Sequence, residues 1–305
     1  MTKRTMTGDL LHRDHSGAIY ALAEHDGQLL SAGGDGLVLA WEATAPDRTR
    51  AIARIAGPIY ALARGGPDEL ALGSAAGTLH LLNLRERREQ HALQAHAMGV
   101  YTLAWPHSGA LVTGGGDGSL ALWERTETGA PWALRRRIPL SDAKVRGLAL
   151  SPDGATLGAA TGDGWLHLLD AGTLNAIASW AAHEEGAHAL AFHPRKSALV
   201  SGGKDGHLRI WDLRNGQRAI LALPAHRSTI YQAAFSPSDA TLATASRDKT
   251  VKLWHADSLD TLGRLDARTG GHAHSVNALQ WRGFDLISAG DDRRVVRWSG
   301  ADQKG

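Results

Sequence analysis

The chain has 305 residues, 43% hydrophobic and 21% charged, an ordinary composition for a soluble globular protein. Thirty-three Lys and Arg against thirty-one Asp and Glu leave a formal charge of +2, too thin a surplus for a nucleic-acid-binding arm. Cysteine is absent, which excludes disulfide frameworks, thiol catalysis and cysteine-ligated zinc.

The first residues, MTKRTMTGDLLHRD, lack the apolar core of a signal peptide, and no run approaches about 18 apolar residues. A cytoplasmic, soluble protein with no membrane partner is therefore expected. The abundance of Ala, Arg and Gly suggests a GC-rich, bacterial genome. Ten Trp against three Phe is a lopsided ratio that points to a repeated Trp position.

The repeat is present. The segments DGLVLAW (35–41), AGTLHLL (76–82), DGSLALW (117–123), DGWLHLL (163–169), DGHLRIW (205–211), DKTVKLW (248–254) and DRRVVRW (292–298) end 41, 41, 46, 42, 43 and 44 residues apart. Ahead of each lies a short apolar run: IYALA at 19–23 and again at 59–63, then VYTLAW, VRGLAL, AHALAF, IYQAAF and VNALQW. Turns such as PHSG (106–109), SPDG (151–154) and SPSD (236–239) separate the runs. Runs of four to six residues so punctuated are strands, and both faces of the third run are apolar, as in a sheet packed between two neighbours. Four strands per unit in seven units predict an all-β, seven-bladed β-propeller of antiparallel blades. The predicted blades span about 17–55, 58–93, 99–138, 144–181, 186–223, 229–265 and 275–299. After Trp298 too little chain remains for a fourth strand, and residues 5–12 have no unit of their own. An N-terminal strand completing the last blade resolves both and leaves no open edge in the ring.

These units resemble the WD-repeat β-propellers over the full chain. The dipeptide that names the family occurs at Trp211–Asp212, with Trp41–Glu42 and Trp123–Glu124 as close variants. The resemblance implies a structural network of a loop His, a strand Ser or Thr, a turn Asp and the Trp. Complete sets are His15/Ser31/Asp35/Trp41, His96/Thr113/Asp117/Trp123, His183/Ser201/Asp205/Trp211, His226/Thr244/Asp248/Trp254 and His272/Ser288/Asp292/Trp298. In each the carboxylate is expected to accept from imidazole, the imidazole to meet the hydroxyl, and the hydroxyl to reach the indole N–H. Unit two has Leu72, Ala76 and Leu82 in these slots. Unit four keeps Asp163 but has Ala159 and Leu169. Those two blades are expected to rely on apolar packing alone and to distort more easily.

His, Ser and Asp within one unit imitate a hydrolase triad, but five copies serving five blades read as architecture, since a nucleophile needs only one. HEEGAH (183–188) places its histidines five apart, off the single helical face of a zinc-protease motif. GGGDG (114–118) leads into a strand rather than a phosphate-binding helix. His272 and His274 lack a third ligand. No catalytic residue, metal or cofactor is expected.

In the resembled family the narrow end of the ring, near the central channel, receives peptides. The corresponding positions here, one after the residue that opens each inner strand, are Tyr20, Tyr60, Tyr101, Arg146, His188, Tyr231 and Asn277. All four tyrosines of the chain occupy this one position. Tyr combines an apolar ring with a polar tip and is enriched at interfaces, so these residues are expected to bind a partner. Nearby positions add Lys144, Lys204, Arg247 and Asp291, giving an aromatic half with room around it and a basic half. A peptide carrying an acidic or phosphorylated residue beside an apolar one would complement both. The leading expectation is a non-enzymatic scaffold that binds an unidentified protein or peptide. Two alternatives are a binder of phosphorylated ligands or nucleic acid through the basic half, and an enzyme with a channel-mouth site. Nucleic acid ranks behind protein, because only four cations are proposed there.

Overall fold

In the computed structural model, residues 6–42, 45–127, 129–238 and 240–301 are described, with backbone alone for 45–47. Residue 5 of the expected closing strand, residues 43–44 of the first predicted blade, residue 128 of the third and residue 239 of the SPSD turn lie outside them.

The strands form seven four-stranded antiparallel sheets. Each sheet takes four successive strands except the last, whose order is completed by Gly8–His12 from the N-terminus. This strand lies antiparallel to Val295–Trp298, pairing Gly8 with Trp298, Asp9 with Arg297 and Leu10 with Val296. The expected closure of the ring is therefore the observed one. It pairs the free edge of Val295–Trp298 and gives the last blade an outer fourth strand like those of the others.

Seven innermost strands, Ile19–His25, Ile59–Arg64, Val100–His107, Val145–Leu150, Ala187–Phe192, Ile230–Phe235 and Val276–Arg282, line the centre. Each touches the innermost strands of its two neighbours, so the ring is continuous. The only helical turn among the described residues is a 3-10 segment, Ala267–Thr269, between blades six and seven.

The core lies between blades. One buried cluster unites Leu11, Ala278, Ile287, Ala289 and Val295 of blade seven with Ile19, Leu22, Leu29 and Trp41 of blade one. Another joins Leu30, Val38 and Ala40 of blade one to Ile59, Leu70, Leu72 and Leu82 of blade two. Apolar residues on both faces of the second and third strands are thus explained: these strands are sandwiched between neighbouring blades, whereas the outermost strands are largely exposed.

The pairing register of every innermost strand shifts around its second residue, between Ile19 and Ala21, Ile59 and Ala61, Val100 and Thr102, Val145 and Gly147, Ala187 and Ala189, Ile230 and Gln232, and Val276 and Ala278. A bulge leaves one residue unpaired and re-aims its side chain. The seven residues so released are Tyr20, Tyr60, Tyr101, Arg146, His188, Tyr231 and Asn277.

Candidate functional site: the bulge ring and its supports

The His-Asp pairs fix the loops that hold this ring. In blade five, His183 Nδ1 lies 3.1 Å from Asp205, its Nε2 lies 2.8 Å from Ser201 Oγ, and Trp211 Nε1 donates to the same hydroxyl at 2.8 Å. In blade seven, His272 meets Asp292 at 2.9 Å and Ser288 at 2.8 Å, and Trp298 Nε1 donates to Ser288 at 2.9 Å. In blade three, His96 meets Asp117 at 3.0 Å and Thr113 at 2.8 Å, but the indole bond from Trp123 to Thr113 stretches to 3.3 Å.

Blade six holds its expected set and extends it. His226 Nδ1 lies 3.1 Å from Asp248, its Nε2 lies 2.8 Å from Thr244 Oγ1, and Trp254 Nε1 donates to Thr244 at 2.9 Å. The expected four members are not the whole network. Thr250 donates to Asp248 at 2.6 Å and lies 3.2 Å from His226 Nδ1, while the Lys252 ammonium sits over the Trp254 ring at 5.6 Å. The Thr244 hydroxyl therefore joins the two rings, donating to His226 Nε2 and accepting from Trp254 Nε1, and Trp254 is held on its face as well as at its N–H.

Blade one departs from expectation. His15 bonds Asp35 and Ser31, each at 2.9 Å, but the buried Trp41 Nε1 has no partner among the described residues. The Ser31 hydroxyl serves His15, while Trp41 packs against the ring of His12. Blade four corrects the expectation of purely apolar packing. Ser141 occupies the loop-His position and donates to Asp163 at 2.7 Å, and Thr161 donates to the same carboxylate. Two hydroxyls thus replace the imidazole. Blade two is apolar: Ile55, in the slot of the loop His, packs on the cluster containing Leu72 and Leu82.

Burial acts on these groups in opposite directions. It disfavours ionisation of Asp35, Asp117, Asp205, Asp248 and Asp292, yet hydrogen bonds from imidazoles, hydroxyls, Arg209 and backbone N–H groups outweigh it and hold all five below the usual carboxylate range. Burial lowers His96, His183 and His226, and the facing carboxylates offset it only in part. The imidazole of His183 falls to about 4. Neutral imidazole suits the pattern, with one nitrogen donating to Asp and the other accepting from the hydroxyl.

All seven ring residues are half-buried and line one cavity of about 510 Å³. The tyrosines of the first three blades pack on one another: Tyr20 meets Tyr60 edge to face at 5.5 Å, and Tyr60 stacks on Tyr101 at 4.9 Å. Arg146 lies over the Tyr101 ring at 5.2 Å, a cation–π contact, and its buried Nε has no hydrogen-bond partner among the described residues. His188 meets Tyr231 edge to face at 6.0 Å. Burial first, then the charge of Arg146, lowers His188 to about 4, so it is neutral at physiological pH. Burial raises Tyr20 and Tyr231, which keeps their phenols protonated.

Residues beyond the ring positions also line the cavity: Thr102 of blade three and Gly147, Leu148, Ala189, Leu190, Gln232 and Ala233 of blades four to six. Of the four proposed cations only Arg146 lines it. Lys144 donates to the Tyr101 hydroxyl at 3.1 Å, Lys204 pairs with Glu185 at 3.5 Å, and Arg247 is exposed outside the lining. Asp291 does line the cavity, but Asn277 uses its amide to bridge Asp291 at 2.8 Å and the Ile19 carbonyl at 2.9 Å, clamping blade seven to blade one. Sequence reasoning missed two further clamps. Gln232 exchanges two hydrogen bonds with the Leu279 backbone, and Thr102 accepts from the Leu148 N–H. A polar residue at the third position of an inner strand, where alanine is usual, was the available signal.

The decoy motifs resolve into these parts. HEEGAH supplies His183 to a network and His188 to the cavity, while His272 is bound to Asp292 and Ser288 and His274 is exposed. Among the described residues no group of three or more His, Asp or Glu converges to hold a metal ion.

The geometry defines a repeat propeller with a polar-aromatic cavity at one end of its channel. Comparison with known proteins agrees: residues 87–124, 174–212 and 217–255 match the family described as "WD domain, G-beta repeat". Three stretches of this seven-bladed chain are thus similar to WD repeats. It is 29% identical over 163 residues to human (Homo sapiens) THO complex subunit 6, covering 48% of each chain. It is 31% identical over 110 residues to Target of rapamycin complex subunit wat1 of Schizosaccharomyces pombe, covering 35% of this chain and 33% of that one. Telomerase protein component 1 of mouse (Mus musculus) is 28% identical over 138 residues, 45% of this chain and 5% of that protein. The chain thus matches about half, or much less, of the length of these relatives.

Proposed function

We propose that this protein is a non-enzymatic interaction scaffold that binds an extended segment of a partner protein at the bulge ring. One observation carries the reading: seven residues, one from each blade and each released by a bulge, line a single cavity. Rigid aromatic side chains at such a place give large contact area at small entropic cost. Arg146, with an unpartnered Nε against the Tyr101 face, supplies the recognition group for an acidic or phosphorylated residue. The apolar wall of Leu148, Ala189 and Leu190 receives the residue beside it. With a single cation in the cavity, nucleic acid is the weaker partner class.

The relatives named as subunits of the THO and target of rapamycin complexes support a role within protein assemblies. A cytoplasmic location belongs to the same proposal. A bacterial source rests on composition, whereas the relatives named are eukaryotic. The test compares immobilised wild-type protein with the Tyr60→Ala/Arg146→Ala double variant, identifying retained proteins by mass spectrometry. Loss of a partner from the variant is expected. An unchanged set of retained proteins rejects the site.

A further inference from the structure

We propose a second docking surface, independent of the bulge ring: the groove between blades one and two receives an acidic, extended segment of a partner protein anchored by aliphatic side chains. The groove encloses about 740 Å³ and runs along the outermost strand of blade one, from the turn at Asp26 to Ile55.

Its origin is a lapse in the repeat. Five blades hold a loop His and a strand Trp, whereas blade two has Ile55 and Leu82 in those slots. Both replacements line the groove. Two aromatic rings and their polar nitrogens are exchanged for smaller aliphatic groups, so the space is left with an apolar floor and no network to fill it. Ile52 and Leu84 extend that floor.

The rim is basic. Arg50, Arg54, Arg85, Arg87 and Arg88 all line the groove. Arg85 pairs with Asp68 at 2.9 Å and Arg88 with Glu86 at 2.6 Å, but Arg50, Arg54 and Arg87 have no ion-pair partner among the described residues. Asp68 is engaged by Arg85 and Glu89 by His80 at 2.6 Å, while Asp26 lies 3.7 Å from His25, beyond hydrogen-bond distance. His25 adds a buried Nδ1 with no hydrogen-bond partner among the described residues. Three unpaired guanidinium groups over an aliphatic floor complement carboxylates alternating with Leu, Ile or Val, the spacing that an extended strand supplies.

The probe is a fluorescein-labelled pool of peptides of about ten residues in which Asp or Glu alternates with Leu, Ile or Val. Saturable binding to the full-length protein is expected. It should weaken by about tenfold or more in the Arg50→Glu/Arg54→Glu/Arg87→Glu variant, which alters no buried residue. Leu82→Trp, which refills the floor with the indole that five of the blades carry, should weaken it likewise if its melting curve stays cooperative. The Tyr60→Ala/Arg146→Ala variant should bind the pool as wild type does, which separates this surface from the bulge ring. The proposal is overturned by failure of the pool to bind, by equal binding to the arginine variant, or by equal binding of a pool with Ser in place of the aliphatic residues. Full displacement by a short single-stranded RNA at equal concentration would also overturn it, since charge alone would then suffice.

Discussion

His12 and Trp41 meet edge to face across the seam where the ring closes, their ring centroids 4.8 Å apart and their planes at 70°. His12 ends the N-terminal strand of blade seven, and Trp41 lies in the third strand of blade one. Both are buried, and His12 Nε2 and Trp41 Nε1 each lack a hydrogen-bond partner among the described residues. At this contact the two blades meet by shape and aromatic packing, at the cost of two unsatisfied polar atoms, while Asn277 supplies a hydrogen bond from blade seven to the Ile19 carbonyl of blade one.

Stability should consequently fall in mild acid. Burial lowers His12, His183 and His188 to about 4. In the unfolded chain the same groups take up protons near pH 6.5, so between about 6.5 and 4 the unfolded state binds more protons and stability rises with pH. On acidification stability is lost progressively across that window, by on the order of 1–3 kcal/mol for each such histidine. His12→Leu removes one of them. At pH 7.5 it should change stability by less than about 1.5 kcal/mol, because a lost aromatic contact is offset by the removal of an unsatisfied nitrogen. Urea unfolding at pH 7.5 and 4.5 should show a smaller acid loss in the variant than in wild type. Parallel losses would show that His12 takes up its proton in the folded state as readily as in the unfolded chain.

The hydroxyls of blades one, five and six have unequal duties. Ser201 serves both His183 and Trp211, and Thr244 serves both His226 and Trp254, whereas Ser31 serves His15 without the indole. Ser201→Ala strands two buried polar groups and should cost about 2–4 kcal/mol, while Ser31→Ala strands one and should cost about 1–2 kcal/mol. Thr244→Val, which removes the hydroxyl but keeps the branched shape, should fall with Ser201→Ala. Denaturant midpoints measured side by side test the order. Equal losses for all three would mean that the indole bonds of Trp211 and Trp254 add nothing to stability.

The seven blades were legible because a sheet packed on both faces imposes the same apolar spacing seven times, and the short tail after Trp298 required a strand from elsewhere. The ring positions were legible from the four tyrosines. The bulge that aims them into the channel was not, because a bulge leaves no mark in apolar periodicity, and neither was the mutual stacking of Tyr20, Tyr60 and Tyr101. The contacts of Lys144 and Lys204 were not legible either. A long flexible side chain placed near a channel by register swings to the nearest phenol or carboxylate, here Tyr101 and Glu185. Blade four was misread because the search was for a histidine, whereas Ser141 and Thr161 satisfy Asp163 as hydroxyl donors. In blade six the spacing found Thr244 and Trp254 but not Thr250 and Lys252, whose roles depend on which face of the third strand meets the loop.

Gly147 sits immediately after the bulged Arg146, where blades four and five approach closely. A Cβ there would lie 2.3 Å from the His188 carbonyl oxygen, a backbone atom that cannot rotate away. Gly147→Ala must therefore push the inner strand of blade five outward, altering the wall on which His188 and Tyr231 pack. A destabilisation of about 2–3 kcal/mol is expected, typical of overpacking against a rigid neighbour. Gly172→Ala provides the control, since its Cβ would meet only the Asp170 carboxylate at 3.7 Å and should leave stability within about 0.5 kcal/mol of wild type. Thermal unfolding gives the first readout. The second is amide hydrogen exchange in the strand Ala187–Phe192, which should quicken in Gly147→Ala and stay as in wild type in the control. A wild-type melting curve together with unchanged exchange would show that the two strands are not in the tight contact described.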